Sequence, residues 1–148
     1  MNKLQQLREH LLTHIPELKK SPECLLTFVD KGKVVSNRLS LCFEYDYTAN
    51  VIVTDFTGDA DKVMVVLLAW YQQHQQDKCF PANIEFEADI LNNKAVDLSI
   101  KITLTERVIV AKNASGQIES IIHPPEPILD FETFAWPADL LINGEANG

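Results

Sequence analysis

The sequence predicts a single α+β domain in which a mostly antiparallel, twisted sheet carries helices packed on one face. Long stretches alternate apolar and polar residues, as half-exposed strands do, and two segments repeat apolar residues at the three- and four-residue steps of amphipathic helices. The chain has 148 residues, the size of one domain. We assign residues 1–127 to this domain and residues 128–148 to an aromatic C-terminal segment with a frayed end.

Two helices are predicted. The first ends before Pro16, and its apolar stripe consists of Leu4, Leu7, Leu11 and Ile15. Asp59 is placed to cap the second helix, where a carboxylate can accept hydrogen bonds from the first backbone N–H groups. The apolar face of this second helix, which we expect to cover the sheet, consists of Val63, Val66, Leu67 and Trp70.

The strongest strand signal runs from Leu39 to Val53, where every second residue is apolar. As one unbroken strand this stretch would extend about 50 Å, whereas a compact chain of this length is about 40 Å across. We therefore expect the strand to curl, bulge or project. Ahead of it, the turn-forming residues Asp30 to Lys33 separate two short β-prone runs and predict a first hairpin.

The second half of the chain predicts two more hairpins. The alternating runs from Ile84 to Ile90 and from Val96 to Leu104 flank a turn at Asn92 to Lys94. The runs from Arg107 to Ala111 and from Ile118 to Ile122 flank a second turn, and the proline-rich residues 123–127 then form an extended connector.

Composition excludes several function classes. Thirteen basic and twenty-one acidic residues give a net charge of −8, which repels phosphate backbones and argues against tight nucleic-acid binding. The sequence contains no apolar run of the roughly 20 residues that a membrane span requires, and no export signal is evident. Three separated cysteines, Cys24, Cys42 and Cys79, indicate free thiols in a reducing cytoplasm.

Catalytic and metal-binding patterns are weak. His10 and His14 have the spacing by which a helix presents two zinc ligands, but no third ligand is evident. Asp55, Asp59 and Asp61 do not follow the order of a calcium-binding loop, and strand-end and capping roles explain them better. Without a recognisable nucleophile or phosphate-binding motif, we predict no catalytic residues, cofactor or metal.

Two groups of residues are candidates for interaction surfaces. If their strands face the same way, five carboxylates would share one acidic sheet surface for assembly or for lining a channel: Glu44, Asp46, Glu85, Glu87 and Asp89. Ordinary solvation also explains them. The aromatic residues Phe131, Phe134 and Trp136 either complete their own core or form an arm to a neighbouring subunit.

Three stretches of the chain carry a family pattern: LTFVDKGKVV, SLCFEYDYTANVIVTDFTGDADKVMVVLLAWYQQHQ and FEADILNNKAVDLSIKITLTERVIV. With them, most of the chain resembles the tail-completion protein R family of contractile-tailed temperate phages. The resemblance runs from the first helix to about Ala111, and residues beyond it carry no family motif. It implies a tail-terminator-like fold, a compact sheet with helices packed on it.

The resemblance also implies a function in virion assembly. Such a protein caps the head-proximal end of the tail tube, stops its polymerisation and prepares head–tail joining. A sixfold tail implies a hexameric ring of copies of the chain, with the tail-tube protein and head–tail joining proteins as partners. The expected locations are the host cytoplasm during assembly and the virion tail.

Two alternative functions stay open. A neck or tail-tube component would polymerise indefinitely instead of closing after one ring. A small enzyme would need a deep pocket that joins residues such as His74, Glu44 and Asp55.

Overall fold

The computed structural model of the chain describes residues 2–75 and 84–124. The helices in these ranges are α1 (Asn2–His14), α2 (Pro16–Lys20) and α3 (Ala60–His74), with a 3₁₀ turn at Pro22–Cys24. The strands are β1 (Leu25–Ser36), β2 (Phe43–Phe56), β3 (Glu85–Ile90), β4 (Val96–Lys112) and β5 (Ile118–Ile122). None of these helices is long and apolar enough to cross a membrane.

The strands form an antiparallel sheet in the order β1-β2-β4-β3, and β5 pairs with the last residues of β4. The long central strand β4 pairs with β2 over most of its length. Along its first residues, Val96 to Lys101, it also pairs with β3. The predicted α+β class with a mostly antiparallel sheet is confirmed, as are the hairpins β3–β4 and β4–β5.

The helices pack on one face of this sheet, which we call the core face. Its buried side chains from β2 and β4 are Tyr47, Ala49, Val51, Val53, Leu98, Ile100, Ile102 and Leu104. The stripes predicted for α1 and α3 are buried in the same cluster. We call the opposite face, which carries no helix among the described residues, the open face. Residues that pair across two antiparallel strands share a face, so the register assigns every strand residue to one or the other.

Asp59 caps α3 as predicted, because its Oδ1 accepts a hydrogen bond from the backbone N–H of Asp61 at 2.9 Å. The C-terminal end of α3 supplies hydrogen-bond partners to backbone groups of β4. These groups lie beyond Lys101, where the pairing of β4 with β3 stops. There the Tyr71 hydroxyl donates to the carbonyl of Thr103 at 3.0 Å, and Gln75 Oε1 accepts from the backbone N–H of Thr105 at 3.0 Å. Side chains of α3 therefore replace a missing strand at this edge.

The prediction of a turn at Asp30 to Lys33 is wrong, because β1 continues through these residues and stays paired with β2. A register shift between Val29 and Lys31 accommodates one extra residue as a bulge. Gly32 lies directly across from Tyr47, where an added Cβ would come within 2.9 Å of the Tyr47 Cβ. The glycine therefore marks close approach of two strands, not a turn.

The prediction that Leu39 and Leu41 belong to the long strand is also wrong. β2 begins at Phe43, and both leucines lie in the loop that joins it to β1. This loop is the actual turn of the first hairpin, held by polar side chains. Asn37 Oδ1 accepts from the backbone N–H of Leu39 at 2.8 Å, and Ser36 Oγ accepts from that of Arg38 at 3.2 Å. Such local hydrogen bonds favour turns over strands.

A buried carboxylate on β4, Glu106, joins three parts of the fold. It is only 4% exposed, and its oxygens accept from the backbone N–H groups of Asn2 at 2.9 Å and Lys3 at 3.2 Å. N–H groups in the first turn of a helix have no acceptor within that helix, and a negative charge placed there is stabilised by the positive end of the helix dipole. The Tyr47 hydroxyl of β2 donates to the same carboxylate. Burial, and then this hydrogen bond, raise the pKa of Tyr47.

A second buried chain of hydrogen bonds lies beside Glu106. Lys3 Nζ donates to Gln75 Oε1 at 2.9 Å, and Gln75 Nε2 donates to Thr105 Oγ1 at 2.6 Å. These hydrogen bonds connect the start of α1 to the end of α3 and to the middle of β4. The buried polar groups that take part are therefore satisfied by one another.

We predict that Glu106→Gln lowers the free energy of unfolding by roughly 1.5–3 kcal/mol, the range for hydrogen bonds to a charged group. An amide has one acceptor oxygen in place of two and adds donors that would face the N–H groups of α1. Urea denaturation measures the loss. Glu119→Gln, an exposed position in β5, is the matched control. Equal unfolding free energies for the two variants would contradict the role given to Glu106.

Candidate functional site

One end of the sheet is apolar and exposed. It consists of the end of β1, the loop that follows and β5, and its exposed apolar side chains are Val34, Val35, Leu39, Leu41, Ile118, Ile121 and Ile122. We call these seven residues the projecting end. The two hairpins meet there, because Phe43 pairs with Val108 and Ile109 with Ile122. Leu39 is the most exposed member, at 89%. An exposed cluster of this kind is typical of a protein interaction site.

Cys42 connects the two hairpins at the base of the projecting end. Its Sγ accepts a hydrogen bond from the backbone N–H of Val110 at 3.3 Å. This hydrogen bond, followed by one with Ser40, lowers the pKa of the thiol. The thiol of the half-buried Cys42, which immediately precedes β2, thus accepts the hydrogen bond that a backbone carbonyl would accept in a paired strand.

Sequence reasoning missed the projecting end because Leu39 and Leu41 keep the two-residue period of the strand that follows. The signal against a strand was the polar run Ser36, Asn37 and Arg38, whose side chains and backbone form the turn. The predicted strand length, too great for a compact body, agrees with a hairpin that projects. Every residue from Asp30 to Leu41 is exposed.

The five predicted acidic residues share the open face. Glu44 and Asp46 pair with Arg107 and Thr105 of β4, and the β3 residues Glu85, Glu87 and Asp89 pair with Lys101, Ser99 and Asp97. All these β4 positions alternate with the core-face residues Leu98, Ile100, Ile102 and Leu104, although Thr105 is itself buried. The condition that the strands face the same way is therefore met.

The acidic residues nevertheless form two groups. Glu85, Glu87 and Asp89 are exposed along the outer strand β3, whereas Glu44 and Asp46 are half-buried on β2. Basic residues lie directly across from three of them on neighbouring strands: Lys33 lies opposite Asp46, Arg107 opposite Glu44 and Lys101 opposite Glu85 in the strand register. The open face is thus mixed in charge, with acid concentrated on β3. An assembly or channel-lining role for these five residues stays a prediction.

The predicted aromatic arm, Phe131, Phe134 and Trp136, lies outside the described residues. Its assignment as a contact between subunits stays a prediction.

The rings of His10 and His14 lie side by side on α1, with centroids 4.3 Å apart and planes tilted by 38°, and His14 Nδ1 lies 3.0 Å from the carbonyl oxygen of His10. Within residues 2–75 and 84–124, no three His, Cys, Asp or Glu side chains are arranged to hold a metal ion. Asp55, with a positive φ of 51°, lies in the register shift between Val53 and Phe56 of β2, and its backbone N–H donates to Asp97 Oδ1 at 2.8 Å.

The three residues suggested for an enzyme site do not share the pocket that His74 lines. His74 lines a pocket of about 210 Å³ together with Glu106, Arg107 and His123. Neither Glu44 nor Asp55 lines this pocket. Glu106 is engaged in capping α1, and its Oε1 also lies 3.5 Å from His123 Nδ1.

Comparisons with known proteins identify relatives. A family model described as P2 phage tail completion protein R (GpR) matches residues 1–127. A curated relative, the tail completion protein R of Escherichia phage P2, is 40% identical over 152 aligned positions, covering 98% of this chain and 96% of the relative. No solved structure matches the chain significantly.

We predict that His10 makes the protein less stable as the solution is acidified. Burial first, and then the neighbouring His14, lower the pKa of His10 from 6.5 to about 4. Between these two values the unfolded chain binds a proton that the folded chain excludes, so the free energy of unfolding falls as pH falls. His10→Gln removes this contribution and should flatten the pH dependence of urea denaturation in that window.

Thr13→Gln, an exposed change on the same helix, is the control and should keep the original pH dependence. If His10→Gln and Thr13→Gln show the same dependence, His10 is not the titrating group.

Proposed function

Because the chain belongs to the P2 phage tail completion protein R family, we propose that it completes the tail by capping the head-proximal end of the tail tube as a closed ring. Its role in tail completion and its place in the phage tail follow from family membership. The ring, the capping and the arrest of polymerisation are the proposal. A ring seated on the last layer of tube subunits occupies the surface to which the next layer would bind.

The projecting end is the observation that carries this proposal. It presents aliphatic side chains on a hairpin that extends from the body, and Leu39 at its tip contacts little of its own chain. Fully burying one such side chain is worth about 1.5–3 kcal/mol. A contact between the projecting end and the tail-tube protein would therefore be stabilised by apolar burial, with no chemical step.

A closed ring requires a contact that passes from each copy to the next in one direction. In a sixfold tail the ring would hold six copies and would also meet the head–tail joining proteins. Assembly would take place in the host cytoplasm, where a reducing environment keeps thiols such as Cys24 and Cys42 free.

We predict that a phage lacking this gene makes overlong tails without heads, and that the unaltered gene supplied in trans restores normal tails. The double variant Leu39→Asp/Leu41→Asp should fail to restore them, because two carboxylates at the projecting end would have to be desolvated against the tube. Electron microscopy of lysates measures tail length and head attachment.

Thr13→Asp, an exposed change on α1 far along the chain from the projecting end, is the matched control and should restore normal tails. Normal-length, joined tails from the phage that lacks the gene would refute the capping function. Purified protein that forms open-ended tubes instead of closed rings would favour a neck or tube component.

We predict that ending the chain after Pro127 weakens ring formation but not the stability of each subunit, if Phe131, Phe134 and Trp136 form an arm to a neighbour. Loss of three aromatic anchors should raise the concentration of half-assembly at least about tenfold. Sedimentation measures assembly, and urea denaturation measures stability. A drop in the free energy of unfolding without a change in assembly would show that the segment completes its own domain.

A further inference from the structure

The two outer strands of the sheet have edges without a strand partner among residues 2–75 and 84–124. β1 pairs with β2 only, and β3 pairs with β4 only. All six residues of β3 are exposed, and so is β1 from Asp30 onward. An exposed edge presents backbone N–H and C=O groups that another strand can pair with.

The two edges carry opposite charge on the same face. On β3 the open-face side chains are Glu85, Glu87 and Asp89, and on β1 beyond the bulge they are Lys31 and Lys33, followed by the apolar Val35. None of the five charged side chains forms an ion pair with a described residue, since the one salt bridge nearby joins Asp30 to Lys101 at 3.9 Å. The acidic edge of one copy is therefore electrostatically complementary to the basic edge of another.

The number of strands makes this contact geometrically consistent. Every neighbouring pair in the order β1-β2-β4-β3 is antiparallel, so β1 and β3 run in opposite directions. A second copy placed beside the first in the same orientation brings its β1 antiparallel to the first copy's β3. Both open faces then lie on the same side, so lysines and carboxylates lie next to each other.

We propose that β3 of one copy pairs with the middle of β1 of the next copy, Lys31 to Lys33, and that this edge-to-edge pairing closes the ring. The inference rests on the proposed function and specifies its subunit interface. Glu85 lies opposite Lys33 of the next copy, and Glu87 lies opposite Lys31. Phe86, 59% exposed in the single chain, lies opposite Gly32. An aromatic side chain across from an edge glycine is a favourable cross-strand pair.

The stagger that this register requires matches the geometry of a closed sheet. Within one copy, Glu87 pairs with Ser99 and Ser99 pairs with Ile52, whereas Lys31 pairs with Thr48. Placing Glu87 of one copy opposite Lys31 of the next therefore aligns Ile52 of the first copy with Thr48 of the second. Neighbouring copies are displaced by four residues along the strands. That is about 13 Å. A displacement of four residues over the four strands of one copy is a register shift of one residue per strand. Closed barrels of eight strands and shear eight have the same shift per strand, and their strands tilt by about 36° from the barrel axis.

The experiment reverses the charge of each edge separately in the full chain. Glu85→Lys/Glu87→Lys makes both edges basic, and Lys31→Glu/Lys33→Glu makes both edges acidic. Each variant alone should need at least about tenfold more protein for half-assembly, because attractive contacts become repulsive. An equimolar mixture should assemble again, because each acidic edge then meets a basic edge in an alternating ring. Sedimentation measures the mass.

Lys19→Glu/Lys20→Glu is the matched control, since it makes the same charge change at exposed positions of α2 and should assemble like the unaltered chain. Urea denaturation confirms that each variant is folded. Rings that persist in either single-edge variant, a mixture that stays unassembled, or an unaltered protein that stays monomeric would each overturn the edge pairing. The phenotype of the gene deletion is independent of these results, so failure of the interface is distinguishable from failure of the capping function.

Discussion

The Glu106 carboxylate fixes the arrangement on which the rest of the structure depends. It lies on the central strand β4 and accepts hydrogen bonds from two backbone N–H groups at the start of α1. It also accepts one from the hydroxyl of Tyr47 on β2. A buried carboxylate is costly unless its oxygens are satisfied, and here the start of a helix supplies the donors. The position of α1 along the sheet is therefore set by one residue of β4.

That position decides which parts of the sheet stay uncovered. α1 begins at the level of Glu106, and the large core cluster lies between Leu98 and Leu104 on β4. Beyond this level β4 continues to Lys112, and β5 and the end of β1 accompany it with exposed side chains. The same sheet thus provides a packed body at one end and an apolar surface, the projecting end, at the other.

A protein that works by assembly needs surfaces that its own fold leaves unpaired, and both candidate surfaces are of this kind. The projecting end offers aliphatic side chains, and the outer edges of β1 and β3 offer backbone hydrogen-bonding groups with charges of opposite sign. Antiparallel pairing through an even number of strands gives each copy one edge of each kind. A contact between unlike edges passes from copy to copy in one direction, as the proposed ring requires.

The sequence by itself determined the elements whose side chains repeat with a clear period: the α1 and α3 stripes, the Asp59 cap, and the hairpins on either side of β4. These depend on local contacts and on one buried face, which periodicity records. It also carried the residues by which the family is recognised. It did not determine the first turn, because Asp30 to Lys33 and Ser36 to Ser40 both contain turn-forming residues.

Only the tertiary structure decided between these turns, through the pairing of Gly32 with Tyr47 and the bulge beside Lys31. It also decided that Leu39 and Leu41 are exposed, that Glu106 is buried, and that the β3 acids and β1 lysines lie on one face at opposite edges. Each of these depends on strand register and on contacts between residues distant in the chain. A shift of one residue would reverse every face assignment without changing the alternation itself.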